Sequence, residues 1–146
     1  MRLTAPDLRD MNIFKYYRLT RQWACKTYGL SNAELELLIY LDCKKHFNRK
    51  GFIDGTYTMG WDKLRWNRLR KEGWIDVFRE GNRKDSQGTM FKVSFKTKTM
   101  ITRIYKILLG EENPPWGMRS VFYKNKTYTD KVMNKAIDDM IKDKDR

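Results

Sequence analysis

The stretch Trp61–Gln87 reads WDKLRWNRLRKEGWIDVFREGNRKDSQ, and its parts follow one another in an informative order. A basic helix is predicted over 61–72, with Thr58 as its cap and Gly73 as its stop. At about 100° per residue, Trp61, Leu64, Arg65, Arg68, Leu69 and Glu72 share one side, which suits packing. Lys63, Trp66, Asn67 and Arg70 share the opposite side. Those four suit a nucleic-acid groove. Asn and Arg can make paired hydrogen bonds to base edges, Lys can reach a base or a phosphate, and an indole can pack on sugar or a thymine methyl. A solvated amphipathic helix would show the same face, so the helix alone does not decide between the two readings.

The residues after Gly73 add to the case. Trp74–Arg79 and Met90–Phe95 each alternate large apolar residues with polar ones, the pattern of half-buried strands. Between them lies EGNRKDSQG, with Gly81 and Gly88 near its ends and Arg83 and Lys84 at its tip. Two adjacent cations on a hairpin that directly follows a basic helix can reach phosphates or the minor groove. The preceding segment, GFIDGTYTMG, holds three glycines and reads as strand plus turn.

Charge is concentrated on the same region. The 146 residues carry a net charge of +13. From Lys44 to Lys71 there are nine Lys or Arg against Asp54 and Asp62, so more than half of the excess falls there. Leu30–Asp42 is acidic and the segment from Glu111 onward is nearly balanced. This placement favours a polyanion partner over a generally basic surface, with Lys44, Lys45, Arg49, Lys50, Arg83 and Lys84 as the phosphate contacts. RNA binders share such charge, so it does not by itself select DNA. At 40% hydrophobic and 14% aromatic residues the chain is long and apolar enough for a core of its own.

Taken together, SNAELELLIYL, RLRKEGWI, REGNRKDSQG and VSFKTKTMITRIYKIL resemble the winged helix-turn-helix of the MarR-type transcription regulators, over roughly residues 8 to 145. In that family a leucine-bearing helix ends at a Gly, a wing follows, and a strand leads into a long helix. The family wing carries an Asp followed by an Arg, whereas Arg83-Lys84-Asp85 places the basic residues first. The resemblance implies a mainly α fold with a small β wing (α+β). It also implies a homodimer framed by the terminal helices and binding to double-stranded DNA as a transcription regulator. One domain, 1–146, is expected: frame helices 4–29 and 127–143, a reading core 30–96 with its wing at 79–90, and a connecting helix 97–110.

The residues outside the core fit such a frame. Thr4, Pro6 and Asp7 open a helix that carries Leu8, Met11, Phe14, Tyr17 and Trp23 and stops at Gly29. Ser31, with Glu34 three residues on, starts a second helix that buries Leu35, Leu38 and Ile39 and runs to Lys45. Met100, Ile101, Ile104, Tyr105 and Leu108 stripe a third, ended by Gly110, Pro114 and Pro115. A final helix from about Thr129 repeats Val132, Met133, Ala136, Ile137, Met140 and Ile141 at helical steps. Its stripe fits a partner helix, in a second subunit or in the same chain. The connector between these two helices, with Trp116, Val121, Phe122 and Tyr123, reads as structural packing.

Several classes recede. His46 is the sole histidine, no catalytic centre is evident, and Cys25 and Cys43 lack the spacing of a zinc site, so neither metal nor cofactor is expected. The two cysteines read as reduced, partly buried residues. GNRKDSQG lacks the ending of a phosphate-binding loop. The first residues do not resemble a secretory signal, and no apolar run reaches membrane-spanning length, so a cytoplasmic, nucleoid-associated protein of a bacterial or phage-infected cell is expected. Two other classes remain: a viral or plasmid replication accessory protein that binds nucleic acid, and a module that docks on an acidic protein such as a polymerase subunit. Relatives of MarR bind small molecules, but the residues name no effector here.

Overall fold

A computed structural model describes residues 2–10, 13–53, 63–81, 88–123 and 127–144. The architecture is α+β: mostly helix, with one two-stranded antiparallel sheet. Its elements are α1 (Ala5–Asp10), α2 (Ile13–Tyr28), α3 (Asn32–Asp42), α4 (Lys63–Lys71), β1 (Ile75–Arg79), β2 (Met90–Val93), α5 (Phe95–Leu108), a 3-10 turn (Gly117–Arg119) and α6 (Tyr128–Lys144). Residues 49–53 are also helical. Two compact units divide the chain, one formed by residues 31–101 and the other by 1–30 with 102–146. Helix α5 gives residues 95–101 to the first and 102–108 to the second.

In the 31–101 unit, α3 begins as its sequence predicts. Ser31 Oγ accepts from the Glu34 amide at 3.2 Å, and Glu34 Oε1 accepts from the Ser31 amide at 3.0 Å, so both orphan donors are satisfied. The helix ends at Asp42, with Cys43 as C-cap, three residues short of the expected Lys45. Its Leu35, Leu37, Leu38 and Leu41 are buried. The GFIDGTYTMG segment differs from expectation where it is described, because 51–53 are helical and not strand. The reason lies just upstream. Asn48 Oδ1 accepts from the Gly51 amide at 2.7 Å, an N-cap that starts a helical turn and carries Phe52 into the core. Residues 54–60 lie outside the described residues.

Helix α4 stops where Gly73 takes a φ of +82°, open to a residue without Cβ. The Trp74 amide donates to Leu69 O at 2.9 Å and the Gly73 amide to Arg70 O at 3.2 Å, which closes the last turn and turns the chain into β1. Strand β1 pairs with β2 in the register Ile75↔Val93, Asp76↔Lys92 and Val77↔Phe91, with a bulge before Arg79↔Met90. Phe47 adds a bridge to Phe91 on the other edge of β2. At the base of the wing the backbones nearly touch, since a Cβ on Gly81 would lie 2.2 Å from the Gly88 carbonyl carbon. After Val93 the chain enters α5 at Phe95, earlier than the expected 97, because Ser94 caps it: its Oγ accepts from the Thr97 amide at 3.3 Å. Thr97 Oγ1 in turn donates to Trp74 O at 2.7 Å.

In the other unit, Thr4 and Asp7 exchange backbone-to-side-chain hydrogen bonds at the start of α1. Trp23, Ala24, Ile104, Ile107, Phe122 and Ile137 are buried. Helices α2 and α6 are tied by Lys26 Nζ to Asp130 Oδ1 at 2.9 Å, and the Tyr16 hydroxyl bonds the Asp143 carboxylate. Thr127 caps α6, its Oγ1 accepting from the Asp130 amide at 3.2 Å. Arg103 lies over the Trp23 ring and pairs with Glu112 at 2.7 Å. Phe14, Tyr17 and Leu8, expected as part of an apolar stripe, are exposed. No described helix is long and apolar enough to cross a membrane.

Candidate nucleic-acid interface

Nine cations of the 31–101 unit fall between Lys44 and Lys71, on three pieces of backbone. The first is the loop after α3. Lys44, Lys45 and His46 are exposed there, and Lys45 adopts a left-handed φ of 62°. Lys44 Nζ lies 5.0 Å from the Tyr40 ring centroid, while the His46 ring stacks on Phe78 of β1 at 3.7 Å. The second piece is the turn of helix that Asn48 caps, where Arg49 and Lys50 are exposed. The third is α4.

Helix α4 is oriented by aromatic packing. Trp66 is only 9% exposed and sits between Phe52, at 4.7 Å, and Phe91 of β2, at 4.8 Å, edge-on to both. Leu69 is fully buried beside it along the helix. Four residues advance a helix by about one turn, so Arg70 follows Trp66 inward. It is half-buried, its Nη1 donates to Ile75 O at 3.0 Å and its guanidinium lies 5.0 Å from the Phe91 ring centroid. Asn67 and Lys71, one turn apart, are exposed on another side.

A third side of α4 carries charge pairs. Arg68 Nη1 meets Glu34 Oε1 at 2.8 Å and Arg68 Nε meets Glu72 Oε1 at 3.0 Å. The Arg68 guanidinium is held above its ordinary range, first by the hydrogen bond it donates to Glu72 and then by the charge of Glu34. Glu72 is held below the usual carboxylate range by Arg68 first and the Trp74 indole second. Lys96 Nζ lies 3.8 Å from the Trp74 ring centroid and donates to Glu72 O.

Solved structures of MarR are similar to this chain. The reduced form of MarR from E. coli matches at 15% identity and a TM-score of 0.47, covering 97% of this chain and 98% of that one. An E. coli MarR mutant complexed with operator DNA matches at 15% identity and a TM-score of 0.46, covering 92% of this chain and 89% of that one. A multiple antibiotic resistance repressor, MarR, matches at 12% identity and a TM-score of 0.48, covering 98% and 96%. No protein-family model and no curated protein matches the sequence.

The residues that helical spacing assigned to base contact do not stay together. Trp66 is corrected from the groove side to the core, because Phe52 and Phe91 offer its indole an aromatic slot. Arg70 is tied to the Ile75 carbonyl and turned towards Phe91. Asn67 is exposed. Arg68, placed by periodicity on the packed side, is instead half out of the protein and pinned by two carboxylates. The side chain of Lys63, and Arg83 and Lys84 entirely, lie outside the described residues. Lys44, Lys45, Arg49 and Lys50 are exposed on adjoining pieces of chain. Lys71, not among the residues expected at the groove, is exposed as well, and its spacing of four from Asn67 puts both on one side of the helix. Cys43 is exposed, not partly buried, because α3 ends before it. Among the described residues no group of three or more His, Cys, Asp or Glu is arranged to hold a metal ion.

Proposed function

We propose that this chain is a sequence-specific, double-stranded-DNA-binding transcription regulator of the MarR type. Helix α4 enters the major groove, and the wing tip over 80–88 contacts phosphate or the minor groove. The observation that carries the reading is the run of exposed cations Lys44, Lys45, Arg49, Lys50 and Lys71, all within the Lys44–Lys71 stretch that carries more than half of the net charge. Binding begins with phosphate attraction through the 44–50 segment and the wing cations Arg83 and Lys84. Base reading then falls to Asn67 and Lys71, with Lys63 at the helix start, since Trp66 and Arg70 are engaged inside the unit. Asn67 fits the adenine edge and Lys71 a guanine edge or a phosphate.

The regulator acts as a homodimer in this reading. In the unit that holds both chain termini, Phe14, Met118 and Tyr128 are each at least 80% exposed and Trp116 is more than half exposed. Such apolar side chains favour cover by a second subunit. A two-fold dimer presents two copies of α4 to half-sites about one DNA turn apart.

The test is a salt titration of binding to mixed-sequence duplex. With four or more phosphates neutralised, the slope of log affinity against log salt is about −4 or steeper, from about −0.9 per phosphate. Replacing Lys45 and Lys50 by Gln makes it shallower by nearly two. A slope near zero, or one that those substitutions leave unchanged, contradicts the proposal.

A further inference from the structure

Glu34 carries more than a helix cap. A carboxylate in a capping box is normally at the surface, yet Glu34 is 2% exposed. Its Oε1 accepts from both the Ser31 amide and Arg68 Nη1, and its Oε2 is buried with no hydrogen-bond partner among the described residues. The charge that compensates it comes from α4, 34 positions along the chain. From Arg68 the contacts continue through Nε to Glu72, from Glu72 Oε2 to the Trp74 indole at 3.2 Å, and from Glu72 O to Lys96. One connected set of polar groups thus joins the first turn of α3, one side of α4, the start of β1 and the first turn of α5. Asn67 and Lys71 are not part of it.

We propose that Arg68 is a positioning residue: its guanidinium, forked between Glu34 and Glu72, fixes the rotation of α4 about its own axis and so sets which bases Asn67 and Lys71 meet. This rests on the proposal above that α4 reads bases. Trp66 and Leu69 pack α4 against the core, but apolar packing tolerates sliding and rotation that a charge-assisted hydrogen bond to Glu34 on another helix resists, while the i,i+4 arm to Glu72 holds the guanidinium in the rotamer that reaches Glu34. Base reading needs side chains placed to within about 10–20°. Arg68 is cationic, half exposed and adjacent to Asn67, and would be counted as a phosphate contact on composition alone. Both of the nitrogens that engage Glu34 and Glu72 are already committed within the fold.

The experiment compares wild type with Arg68→Gln, Glu34→Gln, the double variant and Arg68→Lys. Each is titrated with the preferred duplex and a scrambled one across salt, and backbone hydrogen exchange over 63–71 is measured in the free protein. Arg68→Gln and Glu34→Gln are each expected to reduce the preferred-to-scrambled ratio about tenfold, and the double variant no further, because the two residues act as a unit. The salt slope on scrambled duplex stays that of wild type, and exchange in α4 rises relative to α3 and α5. Arg68→Lys keeps the charge opposite Glu34, and so the fold, but cannot fork to two carboxylates; its ratio falls as well.

A shallower slope for Arg68→Gln with an unchanged ratio for Glu34→Gln would make Arg68 a phosphate contact and overturn the proposal. A full ratio in Arg68→Lys would do the same. Exchange in α4 that matches wild type in every variant overturns it without reference to DNA. Wild type that binds no duplex sinks the DNA reading instead, and the exchange result then still decides whether Arg68 fixes α4.

Discussion

The position of Trp66 separates two orientations of α4, and Trp66→Ala tells them apart. A tryptophan side chain buries on the order of 200 Å², and at 9% exposure nearly all of that is removed from water. At about 25 cal/mol per Å² the burial is worth roughly 4–5 kcal/mol, in the range of roughly 3–5 kcal/mol for truncating a buried Trp or Phe. Two aromatic edges, Phe52 and Phe91, lose their partner at the same time. Urea denaturation followed by circular dichroism is the assay. With a slope of about 2 kcal/mol per molar urea, the midpoint falls by roughly 2 M. Trp66→Phe, which keeps one ring in the slot, recovers about half of the loss. A midpoint within about 0.5 M of wild type, together with an altered preference among DNA sequences, would show the indole in the groove and refute the packing argument.

Asn67→Ala is expected to cost about 1–3 kcal/mol on the preferred duplex and relax the preference at one base position; equal losses on all duplexes would reassign it to the backbone of the DNA. Asn48→Ala removes the cap on the Gly51 amide and lowers stability by about 1 kcal/mol, while a neutral result would mean that another group satisfies that donor. Gly81→Ala drives a methyl into the Gly88 backbone and forces the base of the wing apart; hydrogen exchange in β1 and β2 should rise, and unchanged protection would contradict the close approach. Asp130 is held below its ordinary value of 3.8 by Lys26 first and the Thr127 hydroxyl second. The fold therefore favours its ionised form, a contribution fully present well above that ordinary value and lost as pH falls through it to the lower folded-state value. Asp130→Asn should remove this part of the acid sensitivity, and an acid-side stability profile that is the same in both proteins would show that the pair contributes nothing.

What was legible in the sequence is what local rules decide. Ser31 with Glu34 announced a helix start, and Gly73 a helix stop, because caps and left-handed stops satisfy backbone groups a few residues away. The alternation in Trp74–Arg79 and Met90–Phe95 gave the wing strands to within two residues. Asn48 and Ser94 are equally local caps, but the three glycines of 51–60 and the alternation that continues to Phe95 mask them. The rotation of α4 was different in kind. Trp66 and Leu69, three positions apart, lie about 60° from each other on the wheel and both are buried, so the packed side runs through this pair, whereas periodicity centres it between Arg65 and Arg68. The slot that decides for Trp66 is built by Phe52 and Phe91, 14 and 25 positions away. Arg68 was placed on the packed side correctly in one respect, since it does face α3. What drew it there was the carboxylate of Glu34, a long-range partner that no periodicity reports.

The central claim is sequence-specific reading of duplex DNA, and selection of bound sequences from a random duplex library at about 150 mM salt tests it most directly, because nonspecific attraction is weakened there while base reading persists. The account predicts an inverted repeat whose half-sites lie one helical turn apart, lost when Asn67 and Lys71 are replaced together. Recovery of no motif from a protein that is folded and binds polyanions at low salt would contradict it, and would favour a nonspecific nucleic-acid accessory or a module that docks on an acidic protein.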